Sequence, residues 1–209
     1  MLSKIYKITL ILCLAAFHQN ISYSKSFNEK NVYNYFSALV SLDKNKSIES
    51  LKYFNYSKKL KESHHLYIKK YIFSLVLAEK INKAISEIKT IKNKKFIDFF
   101  EARLILVLDS IKKNDYKKSK VYINDLKKHE EEGTFEFIIS SFLDEYISLF
   151  NQKKIIANLD NQFGQLSLIN RALQSCYTGH PNTEILFENL TSFNDAGNSR
   201  YLFFYVNYL

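Results

Sequence analysis

Apolar residues recur three and four positions apart along most of the chain, which is the spacing of one face of an α-helix. The segment from Val32 to Val40 shows this spacing. After polar residues from Asp43 to Asn45, the spacing resumes from Ile48 to Phe54. Between Asn28 and Gly133 no glycine or proline interrupts the pattern. The first segment therefore predicts two helices joined by a short turn.

The same plan of helix, turn and helix is predicted twice more, at 67–77 with 84–91 and at 99–111 with 121–126. The small residues near the start of the second helices are 34 and 35 residues apart; they are Ser50, Ala84 and Ser119. An apolar residue stands four places after each; these are Phe54, Ile88 and Ile123. The recurrence favours a helical repeat. An irregular helical bundle is the alternative, and both interpretations are all-α.

These residues resemble the tetratricopeptide repeat (TPR) family over about residues 31–130. Tyr33, Phe36, Ser37 and Val40 follow the first-helix order of that family, and residues 114–119 resemble its turn and second helix. The resemblance implies a right-handed α-solenoid of antiparallel helix pairs, with residues 25–130 forming about three units. It departs from the family pattern where Ile72 and Val107 occupy the small first-helix positions, and no unit ends in proline.

Residues 131–209 are predicted to form a divergent helical or capping region. A strongly apolar helix is expected from Phe135 to Phe150, and a second from Asn161 to Cys176. A short helix follows from Thr183 to about Phe193. The aromatic segment from Ser199 to Leu209 has the pattern of a first helix of a further, incomplete repeat. We expect a chain truncated at this point, with self-association through this helix or packing against its own repeats as alternatives.

The N-terminus has the order of a secretory signal peptide. Lys4 and Lys7 flank the start of a ten-residue apolar run from Ile8 to Phe17, and small residues follow at Ser22 and Ser24. Ten apolar residues are half of the roughly 20 that a membrane span requires. We therefore predict a signal peptide at residues 1–24, cleavage after Ser24, a periplasmic or secreted protein and no stable membrane span.

A lipid anchor at Cys13 is not expected. The residue before an acylated cysteine must be small, whereas Leu12 stands there and Cys13 lies inside the apolar run. The chain carries a formal net charge of +9. Its lysines are spread over almost every segment instead of being concentrated on one face with aromatic residues. The charge is therefore interpreted as solvated helix faces, and nucleic acid is not expected as a partner.

The sequence offers no recognisable catalytic, cofactor or metal site, so none is assigned. Its four glycines are far apart, which excludes a glycine-rich phosphate loop. The histidines lack ligand spacing; they are His18, His64, His65, His129 and His180. Cys176 is interpreted as a small buried hydrophobe. The carboxylates at 130–132 and at Asp144 and Glu145 are interpreted as solvated helix faces.

Two functions of different classes remain open. The first is a non-enzymatic scaffold in the cell envelope, which binds a protein or peptide partner in the groove of the solenoid. The polar first-helix residues Asn34, Ser41, Lys69 and Arg103 are candidates for that groove. The alternative is an envelope hydrolase with an acidic site. A groove of mixed polar and aromatic side chains would favour the scaffold, and a cleft of buried, convergent carboxylates would favour the hydrolase.

Overall fold

The computed structural model describes residues 28–128, 131–153, 163–192 and 199–208. These ranges contain ten α-helices, two 3-10 helices and no strand, so the predicted all-α class is confirmed. The signal-peptide and cleavage-site predictions lie outside the described residues, as do Cys13, His18, His129 and Glu130. Within the described ranges, no helix combines the length and apolar character needed to cross a bilayer.

The first six helices match the three predicted pairs. They are α1 (Glu29–Asp43), α2 (Ser47–Tyr56), α3 (His65–Leu77), α4 (Ile81–Thr90), α5 (Phe100–Lys112) and α6 (Tyr116–Lys127). The 3-10 helices Lys58–Glu62 and Lys94–Ile97 precede α3 and α5. The remaining helices are α7 (Phe135–Gln152), α8 (Gln165–Thr178), α9 (Thr183–Ser192) and α10 (Ser199–Tyr208). The chain divides into two compact units, and the boundary falls between Ser74 and Leu75, within α3.

The turn inside each of the first three pairs has the same backbone geometry. Asn45, Glu79 and Asn114 adopt the left-handed conformation, with φ of 57°, 58° and 57°, and they are 34 and 35 residues apart. The amide after each donates to a carbonyl oxygen five residues earlier, as Lys46 does to Ser41 at 2.8 Å. This bond satisfies a carbonyl that the helix end leaves without a partner, while the left-handed residue ends the helix.

The small and apolar positions that define the sequence period are all buried. Ser50, Ala84, Ser119, Phe54, Ile88 and Ile123 each have 0 % exposure. In the first pair the Ser50 hydroxyl donates to the Ala38 carbonyl oxygen at 2.9 Å, which joins α2 to α1. In the third pair, Ser119 donates to the Ser110 hydroxyl at the same distance. A side chain larger than serine at Ser50 or Ser119 would hold the two helices of its pair apart.

The predicted register of α1 is wrong by one residue. Tyr33, Phe36 and Val40 are more than half exposed, at 67 %, 59 % and 54 %. The buried face is instead formed by Asn34, Tyr35, Ala38, Ser41 and Leu42. Ala38 therefore takes the small position that the TPR resemblance gave to Ser37. Because α1 carries apolar residues on two adjacent faces, spacing alone did not identify the face that packs.

Ala38 is equivalent to Ile72 and Val107, since each lies seven residues before the left-handed residue of its own turn. All three are at most 1 % exposed. Of these three equivalent buried positions, only the one in the first pair carries a small residue.

The core of the first unit is aromatic. Phe54 lies edge-on to Tyr67, with ring centroids 5.3 Å apart, and Tyr71 lies 5.9 Å from Phe54. The Tyr35 ring packs against the same cluster, 6.2 Å from Phe54. Rings at these separations gain energy from their geometry as well as from burial. Helices α1, α2 and the first part of α3 are held together by this cluster.

Two core clusters lie among the described residues of the second unit. One joins α5, α6 and α7 through Val107, Ile123, Leu126 and Ile147. The other joins α8 and α9 through Ala172, Phe187 and Leu190, and Tyr201 and Tyr205 of α10 pack against it. At the end of α8 the left-handed Gly179 is followed by a bond of 2.9 Å from the His180 amide to the Ser175 carbonyl. The same backbone geometry thus ends a helix outside the three pairs as well.

Candidate functional site

A cavity of about 590 Å³ lies in the second unit between the end of α4, the second 3-10 helix, α5 and α6. Its lining is a mixture of apolar, aromatic and charged side chains. The residues are Ile88, Lys89, Lys94, Lys95, Ile97, Asp98, Ala102, Arg103, Leu106, Tyr122 and Asp125. We call this cavity the α5 groove. Its volume is within the range of about 300 to 1,000 Å³ that small ligand sites occupy.

Three residues that line the α5 groove have aromatic counterparts in the first unit. Counted from the left-handed turn residues, Ile88, Ala102 and Leu106 are equivalent to Phe54, Tyr67 and Tyr71 of the first unit. Those three aromatic rings pack together in the first unit. In the second unit Ile88 and Ala102 are buried, at 0 % and 1 % exposure, and form the base of the groove, whereas Leu106 is half-buried.

Arg103 forms part of the groove wall and is held from two sides. Its Nη2 donates to Asp98, which follows the 3-10 helix, and its Nε lies 3.4 Å from Oδ2 of Asp125 on α6. The Arg103 side chain is only 14 % exposed. Two carboxylates fix the plane of the guanidinium, because its donors have a rigid arrangement. The wall of the groove is thus positioned before any ligand arrives.

The charge of the groove is positive on balance, with four cationic residues and two carboxylates in its lining. Lys89 is engaged, since its ammonium lies 2.9 Å from Oδ2 of Asp109. The hydrogen bond from Lys113, assisted by Lys89, lowers the pKa of Asp109 despite its burial, so this carboxylate stays ionised. Lys94 and Lys95 are exposed and form no ion pair with the residues that the structure describes.

A second cavity, of about 400 Å³, shares Asp98 and Arg103 with the α5 groove. Its other lining residues are Phe99, Phe100, Leu126, Glu131, Thr134 and Glu136. The charged groups that it does not share are acidic. A ligand that carries negative charge will therefore favour the lysine side of Arg103 over this side.

Of the four residues predicted for the groove, only Arg103 lines the cavity. Asn34 and Ser41 are each only 6 % exposed, so their assignment to an open binding face is wrong. Both lie on the buried face of α1, because the face that packs is one residue away from the predicted face. The Asn34 side-chain nitrogen is buried without a hydrogen-bond partner among the described residues. Lys69 is half-buried on α3.

Asp144 and Glu145 are half-buried and bond to neighbouring helices, which corrects the interpretation of both as solvated helix faces. The Asp144 side chain is 21 % exposed and accepts from Lys120 and, at 2.8 Å, from Lys127. Burial alone would raise the pKa of Asp144, but the hydrogen bonds from the two lysines lower it overall. Asp144 and these two lysines therefore join α6 to α7 through two ion pairs.

Glu145 faces the next helix instead. Its Oε2 accepts from Asn170 and, at 2.9 Å, from Nε2 of Gln174, both on α8. Burial raises the pKa of Glu145, and these two hydrogen bonds only partly oppose it. The adjacent carboxylates thus serve two different helix contacts and do not converge on one site.

His64 and Cys176 have structural contacts. Nδ1 of His64 accepts from the Tyr67 amide at 3.0 Å, beside the start of α3. Cys176 is half-buried and packs against the cluster of Ala172, Phe187 and Leu190. Over the described ranges, no group of three or more histidine, cysteine, aspartate or glutamate side chains has the arrangement of a metal site.

The sequence did not identify Lys94, Lys95 or Asp98 as lining residues of a groove. Comparison of the chain with protein-family models, curated proteins and solved structures finds no match.

Proposed function

We propose that the protein is an exported TPR-like scaffold that binds a segment of a partner protein in the α5 groove. The observation that carries the proposal is the cavity of about 590 Å³ with its mixed lining of apolar, aromatic and charged side chains. The turns that recur at 34 and 35 residues support the comparison with a helical repeat. In repeat proteins, grooves between stacked helices commonly receive peptides or helices.

Preorganisation of the groove supports a binding role. Arg103 is held by Asp98 and Asp125, and Lys89 is held by Asp109. Groups that are already ordered lose little conformational entropy when a ligand binds, so more of the contact energy contributes to affinity. The exposed Lys94 and Lys95 at the same cavity provide charge that attracts acidic partners.

The alternative of a helical hydrolase has less support. Acid–base catalysis needs a carboxyl group within hydrogen-bond reach of a substrate. Asp144 and Glu145 instead bond to side chains of α6 and α8. In the α5 groove, Asp98 and Asp125 are both paired with Arg103.

Export to the periplasm or the medium and cleavage after Ser24 belong to the same proposal, because the partner must be found in that compartment. Expression of the full chain in a bacterial host, followed by cell fractionation and N-terminal sequencing, tests this step. We expect the exported form to begin at Lys25. Recovery of an intact N-terminus in the cytosol would contradict export without affecting the groove.

The binding proposal is tested by affinity capture from periplasmic extract with residues 25–209 as bait. The comparison is with a filled variant, Leu106→Tyr, which gives this half-buried groove position the residue found at the equivalent first-unit position, Tyr71. We expect a protein that the wild type retains and the filled variant loses. Circular dichroism must show that the filled variant keeps its helices.

A second variant allows the same test if the filled variant does not fold. Lys94→Glu with Lys95→Glu changes only exposed side chains of the groove. Its matched control is Lys58→Glu with Lys59→Glu, the same change on the exposed lysine pair of the other 3-10 helix. Loss of the captured protein with the first variant and its retention with the control is expected. Equal retention by all variants would contradict a binding role for the groove.

A further inference from the structure

We infer that α10 of one chain docks on an exposed face of α1 in a second copy, in the way that α2 packs on α3 within one chain. This contact does not involve the residues that line the α5 groove. Three observations support it, which are the exposure of the two helix faces, the contact that their counterparts form in the first unit, and the charge of the two helices.

The contact between α2 and α3 shows how a first helix receives the second helix that precedes it. Tyr67 and Tyr71 of α3 pack on Phe54, with ring centroids 5.3 Å and 5.9 Å away. On the same side of α3, the Ser74 hydroxyl lies 3.1 Å from the Ser50 hydroxyl. The three α3 residues are at most 1 % exposed. This side of α3 is thus covered by α2.

The corresponding side of α1 is exposed. Counted back from the left-handed turn residues, Tyr33, Ser37 and Val40 are equivalent to these three residues of α3. Tyr33 is 67 % exposed and Val40 is 54 % exposed, while Ser37 is half-buried. We call these three residues the α1 docking face. Large apolar side chains are exposed here where α3 has a packed contact, which is typical of a protein interaction surface.

Helix α10 is similar in sequence to α2. Both helices have ten residues, and they are identical at the first, seventh, ninth and tenth positions, which are Ser, Tyr, Asn and Tyr. In this alignment Leu202 of α10 takes the place of Ser50. Val206 takes the place of Phe54. Leu202 and Val206 are 46 % and 67 % exposed, so the face of α10 that corresponds to the α3-binding face of α2 is available.

The two exposed faces differ from their counterparts in a matched way. The contact between α2 and α3 pairs the hydroxyls of Ser50 and Ser74. Leu202 and Val40 occupy these two positions in α10 and α1, so two apolar side chains would meet there. A serine on only one side would be buried without its hydroxyl partner, which is unfavourable. Apolar surface on both sides instead favours association, by about 25 cal/mol per Å² buried.

The charges of the two helices favour this pairing over contact between two copies of α10. Between Glu29 and Asp43, α1 carries two carboxylates and one lysine, so its net charge is negative. Helix α10 carries Arg200 and no acidic residue. Two α10 helices would therefore repel each other, whereas α10 and α1 have opposite net charges and attract.

Three substitutions of exposed valines by glutamate test the pairing in the exported form, residues 25–209. Val40→Glu alters the α1 docking face and Val206→Glu alters α10, whereas Val121→Glu makes the same change at a 63 % exposed site on α6. We expect the wild type and Val121→Glu to associate as the protein concentration rises, measured by light scattering. The other two variants should each associate at least about tenfold more weakly, because a charge would be buried in an apolar contact.

Circular dichroism must show that the variants keep their helices. If Val40→Glu does not, Tyr33→Glu replaces it, because this residue of the same face is 67 % exposed. An equal mixture of the α1 variant and Val206→Glu then tests which faces meet. The first variant keeps an intact α10 and the second keeps an intact α1 docking face, so the mixture should form a heterodimer through one unaltered contact. Labelling one variant with ¹⁵N identifies the heterodimer by native mass spectrometry.

Three results would overturn the inference. The first is a wild type that is monomeric at every protein and salt concentration. The second is association that Val206→Glu weakens and the α1 variant does not, because α10 would then bind another surface. The third is a mixture without heterodimer. None of the substitutions changes a lining residue of the α5 groove, so each result leaves the capture experiment unaffected.

Discussion

The Tyr67 hydroxyl donates a hydrogen bond of 2.6 Å to the backbone carbonyl oxygen of Phe54, and both residues are fully buried. The bond joins α3 to α2 inside the aromatic core of the first unit. At the equivalent positions of the second unit, Ile88 and Ala102 are buried at the base of the α5 groove. Two aromatic residues of the first core, Phe54 and Tyr67, thus have aliphatic counterparts beside the candidate binding site.

Replacing Tyr67 with phenylalanine removes this bond and keeps the ring. The Phe54 carbonyl still accepts from the Ser57 amide at 3.1 Å, so it is not left unsatisfied. We therefore expect Tyr67→Phe to lower the free energy of unfolding by about 1 kcal/mol, the net value of one such bond. Urea unfolding followed by circular dichroism measures the change. Tyr56→Phe, at a 58 % exposed tyrosine, is the control and should have no effect; equal losses would argue against the bond.

The backbone at Glu79 contains a removable strain. Its φ of 58° is left-handed, a conformation that costs most residues about 1 kcal/mol or more and that asparagine tolerates better. Asparagine stands at the two equivalent positions, 45 and 114. We expect Glu79→Asn to raise the free energy of unfolding by about 0.5 to 1 kcal/mol. The same substitution at Glu62, which does not have a positive φ, should bring no gain in urea unfolding.

The helix pairs were readable from the sequence because their signal is local and periodic. Small residues at Ser50, Ala84 and Ser119 with apolar residues four places later mark the second helices correctly. The first-helix register was not readable, because α1 offers two apolar faces and only tertiary packing decides between them. The exposure of Tyr33 and the burial of Asn34 follow from that decision.

The candidate site was predictable only in part. Arg103 could be identified as a polar residue on a first helix, but its ion pairs with Asp98 and Asp125 bridge three elements that spacing does not relate. Asp144 and Glu145 show the same limit. Adjacent residues on a helix point in different directions. The spacing of residues does not predict that α6 contacts Asp144 and that α8 contacts Glu145.

Asp144 makes stability depend on pH in the acidic range. Its folded-state pKa is lowered, chiefly by the lysine hydrogen bonds that overcome burial, so its contribution is present above the unfolded value of 3.8 and is lost as the pH falls through the folded value. We expect Asp144→Asn to lower the free energy of unfolding by about 1 kcal/mol at pH 7. Urea unfolding at several pH values should show the gap between variant and wild type closing below pH 3.8.

Glu145 provides the matched contrast, because its pKa is raised by burial. A raised folded-state pKa favours the protonated form, so this contribution is complete below 4.5 and is lost as the pH rises through the folded value. Glu145→Gln keeps an acceptor oxygen for Gln174 and cannot ionise. Its stability should therefore vary less with pH just above 4.5 than that of the wild type. A steeper dependence in the variant would contradict the assignment.

Helix α10 leads to the last prediction, that the protein associates with a second copy of itself. One face of α10 packs through Tyr201 and Tyr205 against the Phe187 cluster, while Phe203 and Val206 on the helix are 69 % and 67 % exposed. Exposed apolar surface favours association by about 25 cal/mol per Å² buried. Because α10 contains no acidic residue and the whole chain carries +9, repulsion between copies should be strongest at low salt.

Light scattering after size exclusion should therefore show a dimer that strengthens with added salt and with protein concentration. Phe203→Glu places a carboxylate on the exposed face of α10 and should give a monomer with unchanged helix content. Val121→Glu makes a comparable change at a 63 % exposed site on α6 and should leave the dimer intact. A wild type that is monomeric at all salt concentrations would exclude association through α10. Equal disruption by both variants would also exclude it, because only Phe203→Glu alters the exposed face of α10.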